Sequence, residues 1–312
     1  MAILSRLCST SMVGRPFADY LNVSVPVEIA DEVRSSVLSV VDVLGNFEET
    51  IPGLFQFYEI GVKKGHVVPL PLGTLKFGRR GKVATISASG AILRLLRERG
   101  LYSEYLAAIG AFPHRVTMLH ATADFLVSDV PAAVQSVKAA AYAGDLVLTR
   151  KRILPAQCQH VFGVDVDGKE TGTVYLGQRK NADVWAKVYD KRHERLSRGY
   201  ADPGSLVRVE VAAMSAVGAT LRDASDPTDL FWHFAGRSLV DAPADFAGWW
   251  PHGEGYVLGE RRERTLFERF ENLIAGSLDI RRLAEMAVQL YGLDVAPQAV
   301  GRKVVALAKG LA

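Results

Sequence analysis

Three stretches of this chain alternate apolar and polar residues with a period of two, and that pattern constrains the fold more than any other feature. They are RVTMLHATADF (115–125), DVWAKVYDK (183–191) and VRVEVAAM (207–214). A strand turns successive side chains to opposite faces, so each stretch offers one face to a core and a different face to polar chemistry. LFQFYEIGV (54–62), KVATIS within 66–90, QHVFGVDV and TGTVYLGQR are further strand candidates bounded by turn residues. Helical spacing appears in AILRLLRERG after Ser89-Gly90, with Ile92, Leu93, Leu95 and Leu96 apolar and a glycine stop at Gly100. LYSEYLAAIG and VPAAVQSVKAAAYAG (130–144) follow the same logic. Helices between strands, then a run of strands, predict an α+β fold with a mostly antiparallel central sheet and flanking helices.

The length of 312 residues suggests two domains or one elaborated core with an appendage. Residues 1–50 read as an N-terminal extension or the first elements of the core, and 51–240 as the core itself. The Pro-, Trp- and Gly-containing stretch 241–260 reads as a linker, and 261–312 as a small helical C-terminal region. Two short helices flanking Gly292 have the layout of a helix-turn-helix or of a plain helical cap. Hydrophobic residues at 49% and charged residues at 23% exclude a disordered or collagen-like chain. No apolar run reaches the length of a membrane span, and the N-terminus lacks a signal-peptide pattern. Two cysteines are too few for a disulfide framework or a zinc site. These readings predict a cytoplasmic protein with no membrane partner.

The 37 Lys and Arg nearly balance the 34 Asp and Glu, but the charge is unevenly placed. Between Pro71 and Arg99 seven bases, including Arg79 and Arg80, stand against Glu98 alone. Between Thr171 and Tyr200 seven bases, including Arg179, Lys180, Lys187, Lys191 and Arg192, stand against three acids. Clustered positive charge attracts a phosphate backbone, although a solvated basic face has the same composition.

Period two also groups chemistry. His120, Thr122 and Asp124 share a face with Met118, and Arg208 shares one with Glu210. If the two strands are neighbours, His120, Asp124 and Glu210 converge, and one imidazole with two carboxylates suits Mg²⁺ or Mn²⁺. The same pattern fits a hydrogen-bonded histidine beside an Arg–Glu pair. Trp185, Lys187, Tyr189 and Lys191 share a third face, where two lysines beside a tyrosine would favour its phenolate, the form a nucleophile needs. There is no G-x-S-x-G, Walker A, H-E-x-x-H or G-x-G-x-x-G motif, which disfavours hydrolase, NTPase, zinc-protease and dinucleotide readings.

TGTVYLGQRKNADVWAKVYDKRHE (171–194) followed by VRVEVAA (207–213) resembles the core motif of rolling-circle replication initiators of the Rep_trans type, found in small plasmids and filamentous phages. The family pattern appears as Tyr175, Gly177, Gln178 and Arg179, then Lys187, Tyr189, Asp190, Lys191 and Glu194, then Arg208 and Glu210. RVTMLHATADF resembles the family's R-V-T-R-L-D-x-x-x-D strand, with Met118 in place of Arg and His120 in place of Asp. Gln178 and Asn181 replace two serines. The resemblance spans about residues 75–235. It implies an HUH-like nickase in which Tyr189 attacks a scissile phosphate, assisted by Lys187 and Lys191. It further implies Mg²⁺ or Mn²⁺ on His120, Asp124 and Glu210, and DNA contacts from Arg179, Lys180, Arg192, Arg208, Arg79 and Arg80. The implied partners are origin DNA, single-stranded or extruded as a hairpin, a host helicase and polymerase, and a second copy in a homodimer. An origin-binding regulator that shares the fold without catalysis is the alternative.

Overall fold

The computed structural model describes residues 2–6, 11–42, 47–49, 55–61, 71–149, 152–165, 168–177 and 182–250. In chain order the elements are β1 (Ser11–Pro26), α1 (Ala30–Val41), β2 (Phe47–Glu49), β3 (Phe55–Gly61), β4 (Pro71–Arg80) and β5 (Val83–Ser89). Next come α2 (Gly90–Glu98), α3 (Tyr102–Gly110), β6 (Arg115–Leu126), α4 (Val130–Ala143), β7 (Cys158–Val164) and β8 (Glu170–Leu176). The series ends with β9 (Val184–Asp190), α5 (Lys191–Ser197), β10 (Leu206–Met214), α6 (Leu221–Ser225) and α7 (Thr228–Ala235). The chain divides into two compact units, Met1–Tyr256 and Val257–Ala312. The second, with the expected C-terminal helices around Gly292, lies outside the described residues.

The strands form one ten-stranded sheet in the order β2-β3-β4-β5-β1-β6-β10-β9-β8-β7, and every pairing is antiparallel. This is the α+β architecture with an antiparallel sheet and flanking helices that the alternating stretches predict. β1 lies near the middle of the sheet, between β5 and β6, so Ser11–Pro26 is part of the core. Its alternation of buried Leu21, Val23 and Val25 with half-buried Tyr20, Asn22 and Ser24 has the same origin as that of β6.

Leu119, Ala121, Ala123 and Phe125 of β6 face the core with Val207, Val209, Val211 and Ala213 of β10 and Val184, Ala186 and Val188 of β9. Helices cover that face: Phe231 of α7 stacks on Phe125 with ring centroids 6.3 Å apart, and α4 packs on β8, β9 and β10. The start of α4 is fixed by Asp129, whose carboxylate accepts from the Ala132 N–H at 3.0 Å. It stops at Gly144, whose φ of +74° only glycine adopts without strain. Alternation then obliges the polar residues of β6, β10 and β9 to share the opposite face.

Candidate active site

Register determines which polar residues meet. Arg208 lies between Asp124 and Tyr189, Glu210 between Thr122 and Lys187, and Ala212 between His120 and Trp185. The small Ala212 leaves room above it, and the His120 and Trp185 rings meet edge to face at 5.3 Å.

Glu210 is the centre of the cluster and is 2% exposed. It accepts hydrogen bonds from the Tyr189 hydroxyl at 2.8 Å and from His120 Nδ1 at 3.3 Å, and Lys187 Nζ lies 2.9 Å away. Burial alone would raise its pKa, but the His120 hydrogen bond and the Lys187 charge outweigh burial and hold the carboxyl well below the usual range. Asp124 is engaged differently. Arg208 donates to both of its oxygens, from Nε at 2.6 Å and Nη2 at 2.7 Å, in a bidentate pair. The third guanidinium nitrogen of Arg208 reaches Asp19 Oδ2 at 3.4 Å, and the guanidinium lies 5.1 Å from the centre of the Phe17 ring.

Asp19 is the site residue that the sequence reading missed. Ala18 pairs with Ala121 and Tyr20 with His120, so Asp19 is the extra residue of a bulge and has no opposite partner. Gly90 makes room for it: a Cβ there would fall 2.1 Å from Asp19 Oδ1. Burial raises the Asp19 pKa, and the Glu210 charge adds to the rise. The Tyr20, Asn22, Ser24 alternation was the available signal for this strand, but the bulge hides Asp19 within it.

Tyr189 corrects one expectation. Lys187 and Lys191 do flank its ring, with their ammonium groups 4.9 and 5.7 Å from the ring centre. Yet its pKa is raised, first by burial and then by the Glu210 charge. The phenol is therefore neutral and donates a hydrogen bond to Glu210. Lys191 pairs with Glu194, and burial lowers its own pKa. Burial is the larger cause, and the Glu210 carboxylate, which arrives from β10 and contacts the hydroxyl itself, adds to it.

The residues named for Mg²⁺ or Mn²⁺ do not fit such an ion in this arrangement. His120 Nε2 is buried without a hydrogen-bond partner. Both carboxylates, however, are already neutralised by cationic side chains, Glu210 by Lys187 and Asp124 by Arg208. Among the described residues no group of three His, Cys, Asp or Glu side chains is placed to hold a metal.

The residues named for DNA contacts are dispersed. Arg208 points inward at Asp124 and Asp19. Arg192 pairs with Asp202 at 2.9 Å on the surface. Arg79 pairs with Asp31 and sits on β4, which β5 and β1 separate from β6. Arg179, Lys180, Gln178, Asn181 and the side chain of Arg80 lie outside the described residues. No described helix is long and apolar enough to cross a membrane.

No family model matches the chain, and no curated protein matches it. Among solved structures it is similar to the crystal structure of the di-domain ARO/CYC BexL from the BE-7585A biosynthetic pathway. The identity is 12%, over 68% of this chain and 92% of that one, with a TM-score of 0.20. A likeness at that level carries no argument about fold or function.

Proposed function

We propose that the chain is a DNA nicking-joining enzyme that initiates rolling-circle replication in a plasmid or phage, with Tyr189 as nucleophile. One observation carries the reading: the Tyr189 hydroxyl already donates to a buried carboxylate, Glu210, within a cluster that also holds two lysines and a histidine. The resemblance of 171–194 and 207–213 to Rep_trans initiators supports it.

In the proposed reaction the Tyr189 oxygen attacks phosphorus in line. The bond from phosphorus to the 3′ oxygen breaks, leaving a 5′-phosphotyrosine and a 3′-hydroxyl that a host polymerase extends. The phenolic proton passes to Glu210, as in general-base activation of a nucleophile. Glu210 is a weak base while the His120 hydrogen bond and Lys187 hold it. An arriving phosphate competes for Lys187, and loss of that cation raises the basicity of Glu210 when the nucleophile is needed. Lys187 then stabilises charge on the phosphoryl oxygens, and water supplies the proton for the departing 3′ oxygen. Binding of Mg²⁺ or Mn²⁺ by His120, Asp124 and Glu210 requires Arg208 to release Asp124, so the ion is a variable of the test and not a step here. A bacterial cytoplasm, a host helicase and a homodimeric state belong to the same proposal.

The second reading is an origin-binding protein without catalysis. The neutral, buried Tyr189 and the closed Arg208–Asp124 pair favour it. Incubating the full chain with single-stranded oligonucleotides tiling its own replicon, with and without Mn²⁺, separates the two. The nicking reading expects a denaturant-resistant protein–DNA adduct that Tyr189→Phe abolishes. No adduct under either condition favours the binding reading.

A further inference from the structure

Arg208 stands among the residues that the sequence offered to a metal ion. It shares a face of β10 with Glu210, and register sets it opposite Asp124. Three groups hold its guanidinium. Both Asp124 oxygens accept from it, from Nε at 2.6 Å and Nη2 at 2.7 Å, and Nη1 lies 3.4 Å from Asp19 Oδ2. The Phe17 ring centre is 5.1 Å from its carbon. Phe17 is itself fixed by Arg97, which lies 5.4 Å from the same ring and donates to the Ala18 carbonyl at 3.0 Å. Two carboxylates and a ring thus form a cradle for one planar cation. A guanidinium suits it, because it is always charged, two-pronged and more weakly hydrated than an ammonium.

Charge and spacing both oppose a divalent ion in the same place. Glu210 contacts Lys187, Glu194 contacts Lys191 and Asp124 contacts Arg208. An incoming ion must displace one of these cations and shed its own water, which Mg²⁺ does reluctantly. His120 and Asp124 are four residues apart on β6 with Thr122 between them, a span of about 13 Å at roughly 3.3 Å per residue. Oxygen ligands of one hard cation sit about 2.0–2.6 Å from it, so they lie within about 5 Å of each other. We propose that Arg208 is the resident cation of this centre. The wild-type cradle takes no Mg²⁺ or Mn²⁺, and removal of Arg208 turns Asp19 and Asp124 into a site for one such ion, with water completing its shell. This is a property of the folded chain and holds whether or not the chain nicks DNA. In a nicking reaction, fixed side chains then supply the charge stabilisation.

The probe is Mn²⁺ alone. Full-length protein is titrated with MnCl₂ to about 1 mM, the weak end of the range for oxygen-ligand sites, and free Mn²⁺ is read by electron paramagnetic resonance. Wild type is expected to leave the signal undiminished and to keep its thermal midpoint. Arg208→Met is expected to bind one Mn²⁺ per chain and to melt higher in its presence, because an ion that binds only the folded state stabilises it. Adding Asp124→Asn to that variant is expected to remove both effects. Arg208→Gln keeps an N–H donor for Asp124 and carries the same expectation if Arg208→Met does not fold. A Mn²⁺ ion bound by wild type and lost in Asp124→Asn overturns the proposal, and so does a folded Arg208 variant that binds none. A protein–DNA adduct that forms only with Mn²⁺ also overturns it while leaving the nicking reading in place.

Discussion

Replacing Arg208 by methionine removes the one cation that two carboxylates share. Its side chain is 11% exposed, it donates twice to Asp124 at 2.6 and 2.7 Å, and it lies 3.4 Å from Asp19. Two charges at about 4 Å attract by roughly 4 kcal/mol at an effective dielectric of about 20. Measured losses on breaking one side of a buried pair are about 3–5 kcal/mol. The expected destabilisation of Arg208→Met at pH 7 is therefore about 3–5 kcal/mol, tempered by proton uptake. The Asp19 pKa is raised by burial while Arg208 pulls it down, so loss of Arg208 raises it further. A group with a raised folded-state pKa contributes its full stability below its unfolded value, about 3.9, and loses it as pH rises through the folded value. The penalty must then be largest at neutral pH and shrink toward pH 4. Urea unfolding followed by tryptophan fluorescence reads this unit alone, because Trp185, Trp232, Trp249 and Trp250 all lie before residue 257. With a slope of about 3 kcal/mol per molar, the pH 7 midpoint should fall by about 1–1.7 M. A loss below about 1 kcal/mol, or one independent of pH, would refute the account of this ion cluster.

Glu210, whose folded pKa is lowered, contributes stability present above its unfolded value of about 4.3 and lost as pH falls through the folded value. Glu210→Gln should accordingly flatten the acid limb of the urea midpoint between neutral pH and pH 3, and an unchanged limb would count against its role. Gly90→Ala pushes a methyl group onto Asp19 Oδ1 and the Asp19 carbonyl, and should cost about 1–3 kcal/mol in a thermal melt. Asp190 caps α5 through the His193 N–H at 2.7 Å and accepts from the Thr171 hydroxyl at 3.0 Å. Asp190→Ala should cost about 1–2 kcal/mol and speed hydrogen exchange across Lys191–Ser197; protection equal to wild type would contradict the capping role.

The polar faces of β6, β9 and β10 were legible because a period of two is a local property of each strand. Their adjacency was legible only as a condition, since register depends on pairings between residues far apart in sequence. Asp19 was not legible: a bulge between Ala18 and Tyr20 breaks the period at the residue that matters. Nor was the state of Tyr189, because the lysines that seemed to activate it are sequence neighbours, whereas the carboxylate that masks it arrives from β10. Arg208 shows the same limit. The family resemblance made it a DNA contact, but its position opposite Asp124 turns it into a buried counter-ion.

The central claim is that Tyr189 is the group that becomes covalently attached to DNA. The most direct measurement is mass spectrometry of the proteolysed adduct formed with single-stranded replicon oligonucleotides. The account predicts a nucleotide phosphate on the peptide carrying Tyr189, and no adduct from Tyr189→Phe. A modified Tyr175 or Tyr200, or an undiminished adduct from Tyr189→Phe, would contradict it.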